Sequence, residues 1–137
     1  GRSIVGTAGI LVTQIEYIKD AGDKKFAIID AGMNDLIRPS LYEAWHGVKE
    51  VEQKDIEVAT YDLAGPVCET GDVLAKDREL RILPNDYLAI LDVGAYGSVM
   101  SSNYNSRLKP IELLVSEDKV RVIKRRENFE DLIALET

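Results

Sequence analysis

One cysteine, one histidine and four prolines are all that this 137-residue chain carries of the residue types that most often cross-link, coordinate or stiffen a protein. A lone cysteine cannot close an internal disulfide, so nothing points to an oxidising compartment and a reducing cytosol is the expected setting. A single histidine without clustered cysteine or carboxylate partners makes no metal site, and no metal is expected. Long apolar runs are missing as well: none approaches the roughly 20 residues that span a bilayer, and no signal-peptide pattern is present. Basic residues are in the minority, with 17 Lys and Arg against 24 Asp and Glu and a net charge of −7. No long basic block interrupts this acidic balance, which argues against a nucleic-acid or anionic-membrane surface. Small molecules or proteins are the expected partners.

What is present is ordinary for a soluble domain: 45% apolar and 30% charged residues, in a length that suits one domain with one core. The chain opens Gly1-Arg2 without methionine and enters an apolar pattern at once, so it is expected to be a piece of something longer.

The residues from Ser3 to Lys19 are rich in Ile, Val and Thr with partial alternation, which predicts one long strand or two bent ones. Turn chemistry at Ala21-Gly-Asp-Lys24 and the apolar run Phe26–Ile29 then predict a hairpin. Pro39 suits the first turn of a helix, and Leu41, Ala44 and Trp45 give it one apolar side, so a short helix is predicted over Pro39–His46. Val58–Leu63 and Tyr87–Val93 read as strands ending in Gly-containing turns. Leu113–Val115 and Val120–Ile123 repeat the hairpin logic around Ser116-Glu-Asp-Lys119. Phe129, Leu132 and Ile133 at helical spacing predict a closing helix over Glu127–Leu135. Many short strands with two short helices indicate a mainly β fold, a Greek-key-like barrel or sandwich, with no boundary that would divide residues 1–137.

Several side chains could carry chemistry. Cys68 lies in Gly65-Pro-Val-Cys-Glu-Thr-Gly-Asp72, between a Gly-Pro turn and a carboxylate. Free thiols are mostly protonated at neutral pH, and a neighbouring carboxylate such as Glu69 favours that form, which suits a proton donor. A buried structural cysteine is the competing interpretation. Tyr96, between Gly94 and Gly97, could meet a phosphate closely approached by the backbone; a plain tight turn explains the glycines equally well. Arg38 and Tyr42, four residues apart, could converge on a carboxylate through a bidentate guanidinium fork, or Arg38 could sit in a surface ion pair. Arg2 offers an anion-binding entry. His46 reads as a helix-end or core histidine, Asp30, Asn34 and Asp35 as turn residues, and Lys124-Arg-Arg126 as a solvated charge run.

Four ordered segments carry a resemblance: Gly1-Arg2-Ser-Ile-Val, Ile29-Asp-Ala-Gly-Met-Asn-Asp-Leu-Ile-Arg-Pro-Ser-Leu-Tyr42, Gly65-Pro-Val-Cys-Glu69 and Asp92-Val-Gly-Ala-Tyr-Gly97. Together with the run Met100-Ser-Ser-Asn-Tyr-Asn-Ser-Arg107, they resemble the C-terminal β domain of the diaminopimelate decarboxylases. These enzymes use pyridoxal phosphate to make lysine. The resemblance implies a β domain like the C-terminal domain of alanine racemase, joined in the whole enzyme to a TIM-like barrel that carries the Schiff-base lysine and is not in this chain. It implies a homodimer with shared active sites, and an isolated domain that does not catalyse.

Position by position, the resemblance gives Gly1 and Arg2 the cofactor phosphate, with Arg2 also reaching the amino-acid substrate. Arg38 and Tyr42 would hold the substrate's distal end. Cys68 would be the proton donor, reaching into the partner subunit's site, and Glu69 would bind the distal ammonium. Tyr96 would touch both phosphate and substrate. A second substrate carboxylate suits Arg38, whereas the related ornithine decarboxylases carry Cys-Asp where this chain has Cys-Glu, so diaminopimelate is favoured over ornithine. Carboxynorspermidine or arginine decarboxylase is the nearest alternative within the class. A non-catalytic regulatory relative and a free-standing ligand-binding barrel are the alternatives outside it.

Overall fold

A computed structural model describes all 137 residues. In chain order the elements are α1 (Arg2–Val5), a 3-10 turn (Gly6–Ala8), β1 (Leu11–Asp20), β2 (Lys25–Ile29), α2 (Arg38–Tyr42), β3 (Val48–Glu50), β4 (Ala59–Ala64), β5 (Val73–Leu80) and β6 (Tyr87–Ile90). Two 3-10 turns (Ser98–Met100 and Tyr104–Ser106), β7 (Glu112–Ser116), β8 (Lys119–Lys124) and α3 (Phe129–Leu132) complete the chain.

Six strands form one sheet in the order β3-β6-β1-β2-β4-β5, and β7-β8 stands apart as a two-stranded ribbon. Within the large sheet only β2 and β4 run parallel; the other neighbours are antiparallel. The two edges approach one another. Arg81 N–H donates to the Glu50 carboxylate at 2.8 Å and the Arg78 guanidinium donates to the His46 carbonyl at 3.2 Å, so side chains bridge the seam where ladder bonds are missing. The result is a nearly closed barrel, which leaves little free edge for another chain to pair with.

The barrel encloses a single cluster that includes Ile15, Ile29, Leu36, Leu63, Leu74, Leu88 and Ile90. In β1 the alternation holds for Thr13 and Ile15, both buried, and then fails because a bulge shifts the register between Ile15 and Tyr17, turning Tyr17 outward. The expected β1–β2 hairpin is present, closed by Ala21 N–H to the Lys24 carbonyl at 2.9 Å and by the Asp20 carboxylate accepting from Gly22 N–H at 2.9 Å.

Other expectations need correction. Residues from Ser3 do not begin a strand: Ile4 and Val5 N–H both donate to the Gly1 carbonyl, and a helical turn forms despite β-branched side chains. The first helix of the interior, expected over Pro39–His46, stops at Tyr42, where Glu43 takes a left-handed conformation at φ 52°. Trp45 then stacks on the Arg78 guanidinium at 4.6 Å, and buried His46 donates through Nδ1 to the Leu91 carbonyl at 2.9 Å. Those tertiary contacts lead the backbone away from the helix axis. The closing helix spans only Phe129–Leu132, fixed by reciprocal bonds between Asn128 and Asp131, and Phe129 stays exposed. Strands β3 and β5 were not anticipated.

Candidate functional site

The strand directions put the C-terminal ends of β2, β4 and β6 at the same end of the barrel, because β2 and β4 are parallel and β1 is antiparallel to both β2 and β6. The segments that follow those ends are the ones that hold α2, the Cys68 loop and the Tyr96 turn.

Between β4 and β5 the loop Gly65–Asp72 is organised from below by one carboxylate. Asp72 is buried and accepts from Val67 N–H at 2.7 Å and Met33 N–H at 2.6 Å, tying this loop to the turn after β2. Burial raises the Asp72 carboxyl above the usual range, opposed by those two N–H groups and by the Arg107 charge. A side chain at Gly65 would run into that carboxylate, so glycine is required there. The consequence is a fixed loop with Val67 tucked in and Cys68 and Glu69 exposed. Cys68 is therefore not a buried structural cysteine.

On the neighbouring element, Ser40 in α2 donates to the Gly71 carbonyl at 2.5 Å and locks the helix against the same loop. Arg38, at the start of α2, is half-buried, and its guanidinium carbon lies 5.6 Å from the Tyr42 ring centre and 5.9 Å from that of Tyr96. Both distances are within cation–π range. Arg38 is in none of the chain's ion pairs, so the surface ion-pair interpretation fails and its fork remains available to an anion. Tyr96 reaches it from an unusual backbone, left-handed at φ 62°, the kind of local strain that often accompanies a binding function.

The Tyr96 turn is braced by the start of the chain. Val93 N–H donates to the Gly9 carbonyl and Gly94 N–H to the Gly6 carbonyl, each at 3.0 Å, and a Cβ on Gly9 would lie 2.6 Å from the Gly94 Cα. Gly1 and Arg2 are exposed at the start of the same segment, upstream of these contacts. No hydrogen bond, ion pair or cation–π contact joins Arg2 to Arg38, Tyr42 or Cys68.

A third segment lies in the run Met100–Arg107, which carries the resemblance without a role for any of its residues. Arg107 donates to the Asn34 side chain at 3.0 Å and to the Asp30 carbonyl at 2.7 Å, while Ser102 N–H donates to the Asn34 carbonyl at 2.9 Å. This staples the segment across the turn after β2. It brings the Tyr104 hydroxyl to the Glu69 carboxylate at 3.1 Å, beside a small pocket of about 270 Å³ lined by Met33, Asn34, Ile37, Ser102 and Tyr104. The carboxylate raises the Tyr104 phenol above its ordinary value by accepting its hydrogen bond and by its charge. The available signal was the turn Asn103-Tyr-Asn-Ser, with Asn105 and Ser106 both left-handed.

The remaining polar residues are structural. Asp30 accepts from Thr13 Oγ1 at 2.6 Å and Gln14 N–H at 2.8 Å, tying the end of β2 to β1 and not acting locally as a turn residue, whereas Asp35 accepts from Gly32 N–H at 2.9 Å within its own turn. The charge run is partly paired: Lys124 with Glu112 and Arg125 with Asp131. What the barrel end presents is an unpaired guanidinium between phenols, an exposed thiol, and a carboxylate held by a third phenol. Such a set suits a small zwitterion carrying more than one anionic group.

Residues 4–94 match the model of the pyridoxal-dependent decarboxylase C-terminal sheet domain. The chain belongs to this family. Among curated proteins it is 53% identical over 137 residues to the diaminopimelate decarboxylase of Pseudomonas aeruginosa, covering 100% of this chain and 33% of that protein. It is 52% identical over 134 residues to that of Aquifex aeolicus, covering 97% and 32%. Among solved structures, the diaminopimelate decarboxylase of Helicobacter pylori complexed with L-lysine superposes with a TM-score of 0.92 at 50% identity, covering 99% of this chain and 34% of that one. The chain thus spans about a third of the length of the relatives it matches. The nearly closed β barrel is the sheet domain of this decarboxylase family, and pyridoxal phosphate is the family's cofactor.

Proposed function

We propose that this chain is the C-terminal β domain, residues 1–137, of a diaminopimelate decarboxylase that converts meso-2,6-diaminopimelate to L-lysine and carbon dioxide. The observation that carries the reading is Arg38: half-buried, without a carboxylate partner, and set between Tyr42 and Tyr96. A substrate with a second carboxylate supplies the missing anion, whereas a purely cationic tail would be repelled. The identity of about half of all residues to enzymes of that name supports the same choice.

The residues at the barrel end fit pyridoxal phosphate as well. Tyr96 is about half exposed on a glycine-flanked turn, and Arg2 is exposed on the segment that braces that turn, so a phenol and a guanidinium are free for a phosphate. Gly1, Arg2 and Tyr96 hold the cofactor's phosphate in this reading. The cofactor supplies, when bound, an electron sink for the bonding pair left as carbon dioxide departs. The chain's own tasks are orientation and proton delivery. Arg38 and Tyr42 bind the distal carboxylate, Glu69 accepts from the distal ammonium, and Arg2 and Tyr96 contact the substrate near the phosphate. Cys68 holds at Sγ the proton delivered to the substrate's α-carbon.

A proton donor on an exposed loop at a domain's end suits a site completed by a second subunit, and we place the whole enzyme in the cytosol as a homodimer with its barrel and Schiff-base lysine outside this chain. On that account the isolated domain does not turn over substrate. Assay of the full-length protein tests the reading: Cys68→Ala is expected to lower turnover of diaminopimelate by about 10²-fold or more while cofactor absorbance stays unchanged. Absence of diaminopimelate turnover in the unsubstituted enzyme would overturn the substrate, and loss of cofactor absorbance in the variant would make Cys68 structural.

A further inference from the structure

We infer that Tyr104 is a specificity-determining positioning residue, whose hydroxyl aims the Glu69 carboxylate at the distal ammonium of the substrate; the inference rests on the substrate reading above. Three observations converge on it. The Tyr104 hydroxyl donates to Glu69 Oε2 at 3.1 Å, and this is the one hydrogen bond that the Glu69 side chain makes within the chain. Glu69 stands on an exposed loop tip, where a carboxylate on two methylenes has several rotamers open to it. A single fixed donor at one oxygen selects among those rotamers and leaves the second oxygen, Oε1, for a ligand.

The donor is itself well anchored. Tyr104 begins a 3-10 turn held by Arg107 and Ser102 to Asn34, which is almost wholly buried. The same turn after β2 holds the Cys68 loop through Met33 N–H and Asp72. Glu69 is thus gripped from both sides by one buried frame, its backbone through Asp72 and its carboxylate through Tyr104. Tyr104 also lines the small pocket with Ile37, the residue preceding Arg38. The raised phenol of Tyr104 fits a hydroxyl engaged as donor to a negative oxygen.

The role is distinguishable from simple packing because it acts only on ligands with a distal ammonium. In the full-length enzyme with its cofactor, inhibition constants are measured for L-lysine and for 6-aminohexanoate, which differ only by that ammonium, the one on lysine's carboxylate-bearing carbon. Tyr104→Phe keeps the ring and removes the donor. It is expected to weaken L-lysine by about 3- to 10-fold and leave 6-aminohexanoate within about twofold, with KM for diaminopimelate rising more than kcat falls. In a Glu69→Gln background the same change is expected to add little, since the two side chains act as one unit. Equal weakening of both inhibitors, no weakening of either, or a full Tyr104→Phe effect in the Glu69→Gln background would overturn the inference while leaving the decarboxylase reading intact. If the unsubstituted enzyme turns over no diaminopimelate, both fall together.

Discussion

Leu63 in β4 is fully buried, whereas Leu113 in β7 is 49% exposed and Val120 in β8 is 62% exposed, although all three are apolar residues within β-strands. The six-stranded barrel turns such residues inward onto one another across a nearly closed seam. The β7–β8 ribbon has only itself to pair with, and every position of β8 is exposed. Two-stranded ribbons are marginal in water without a face to pack on. An apolar pattern therefore specifies a strand in both regions but generates a core only where topology brings opposing faces together. The candidate site residues follow the first region: Arg38, Cys68, Glu69 and Tyr96 all stand on segments rooted in barrel strands.

The largest expected effect tests this contrast directly. Leu63→Ala should cost about 2–5 kcal/mol, since it leaves a cavity among residues that cannot close over it. Val120→Ala should stay within about 0.5 kcal/mol, as exposed substitutions generally do. Denaturant midpoints of the two variants measure the difference, and native-state amide exchange should show β4 protected and β8 open. Similar costs at both positions would mean that the ribbon is packed in solution and would end the comparison.

A smaller effect separates the two regions by how they hold polar groups. Asp72 is a buried carboxylate with two backbone donors, and Asp72→Asn must set a donor against one of them, at a cost of about 1–3 kcal/mol. Its pH behaviour has a definite sign. The folded-state value is raised, chiefly by burial, so this group's contribution to stability is fully present below the unfolded carboxylate value and is lost as pH rises through the folded one. Asp35, raised by the same cause, acts in the same direction. The denaturant midpoint of the unsubstituted protein should therefore carry a component that declines with rising pH over the upper acid range, and Asp72→Asn should reduce that component.

The same contrast explains how much could be read from residues in a row. Hairpins β1–β2 and β7–β8 and strands β4 and β6 were legible, because alternation and turn chemistry are local. Strand β5 was not. Its centre is Lys76-Asp-Arg78, with Asp77 left-handed at φ 53°, and Asp77 N–H is held by the Asp62 carboxylate at 2.8 Å from the adjacent strand. The end of α2 was equally hidden, since Trp45 is drawn off by Arg78, far along the chain. In the candidate site, motif spacing marked Arg38, Tyr42 and Tyr96, and the structure brings the Arg38 guanidinium within cation–π distance of both rings. Motif spacing marked the run that holds Tyr104 but not that residue's meeting with Glu69, 35 residues away. Local patterns show which side chains are unusual; only the closed sheet decides which of them meet.

The smallest expected effect lies beyond the ribbon, where polar contacts are exposed. Arg125 grips Asp131 with two bonds, at 2.5 and 2.6 Å, and Asp131 in turn accepts from Asn128 N–H at 2.9 Å. The guanidinium first, and the backbone donor second, hold the Asp131 carboxyl down at about 2. A depressed value means that the contact's contribution is present above the ordinary carboxylate range and is lost as pH falls through about 2. An NMR titration of the Asp131 carboxyl carbon should show that low midpoint, and Arg125→Gln should return it toward the ordinary range. Because the pair is exposed and screened by salt, the global denaturation midpoint should not follow. A coupled fall in global stability would show that α3 is part of the barrel's cooperative unit, and the division between a self-sufficient barrel and a loosely held C-terminal arm would have to be redrawn.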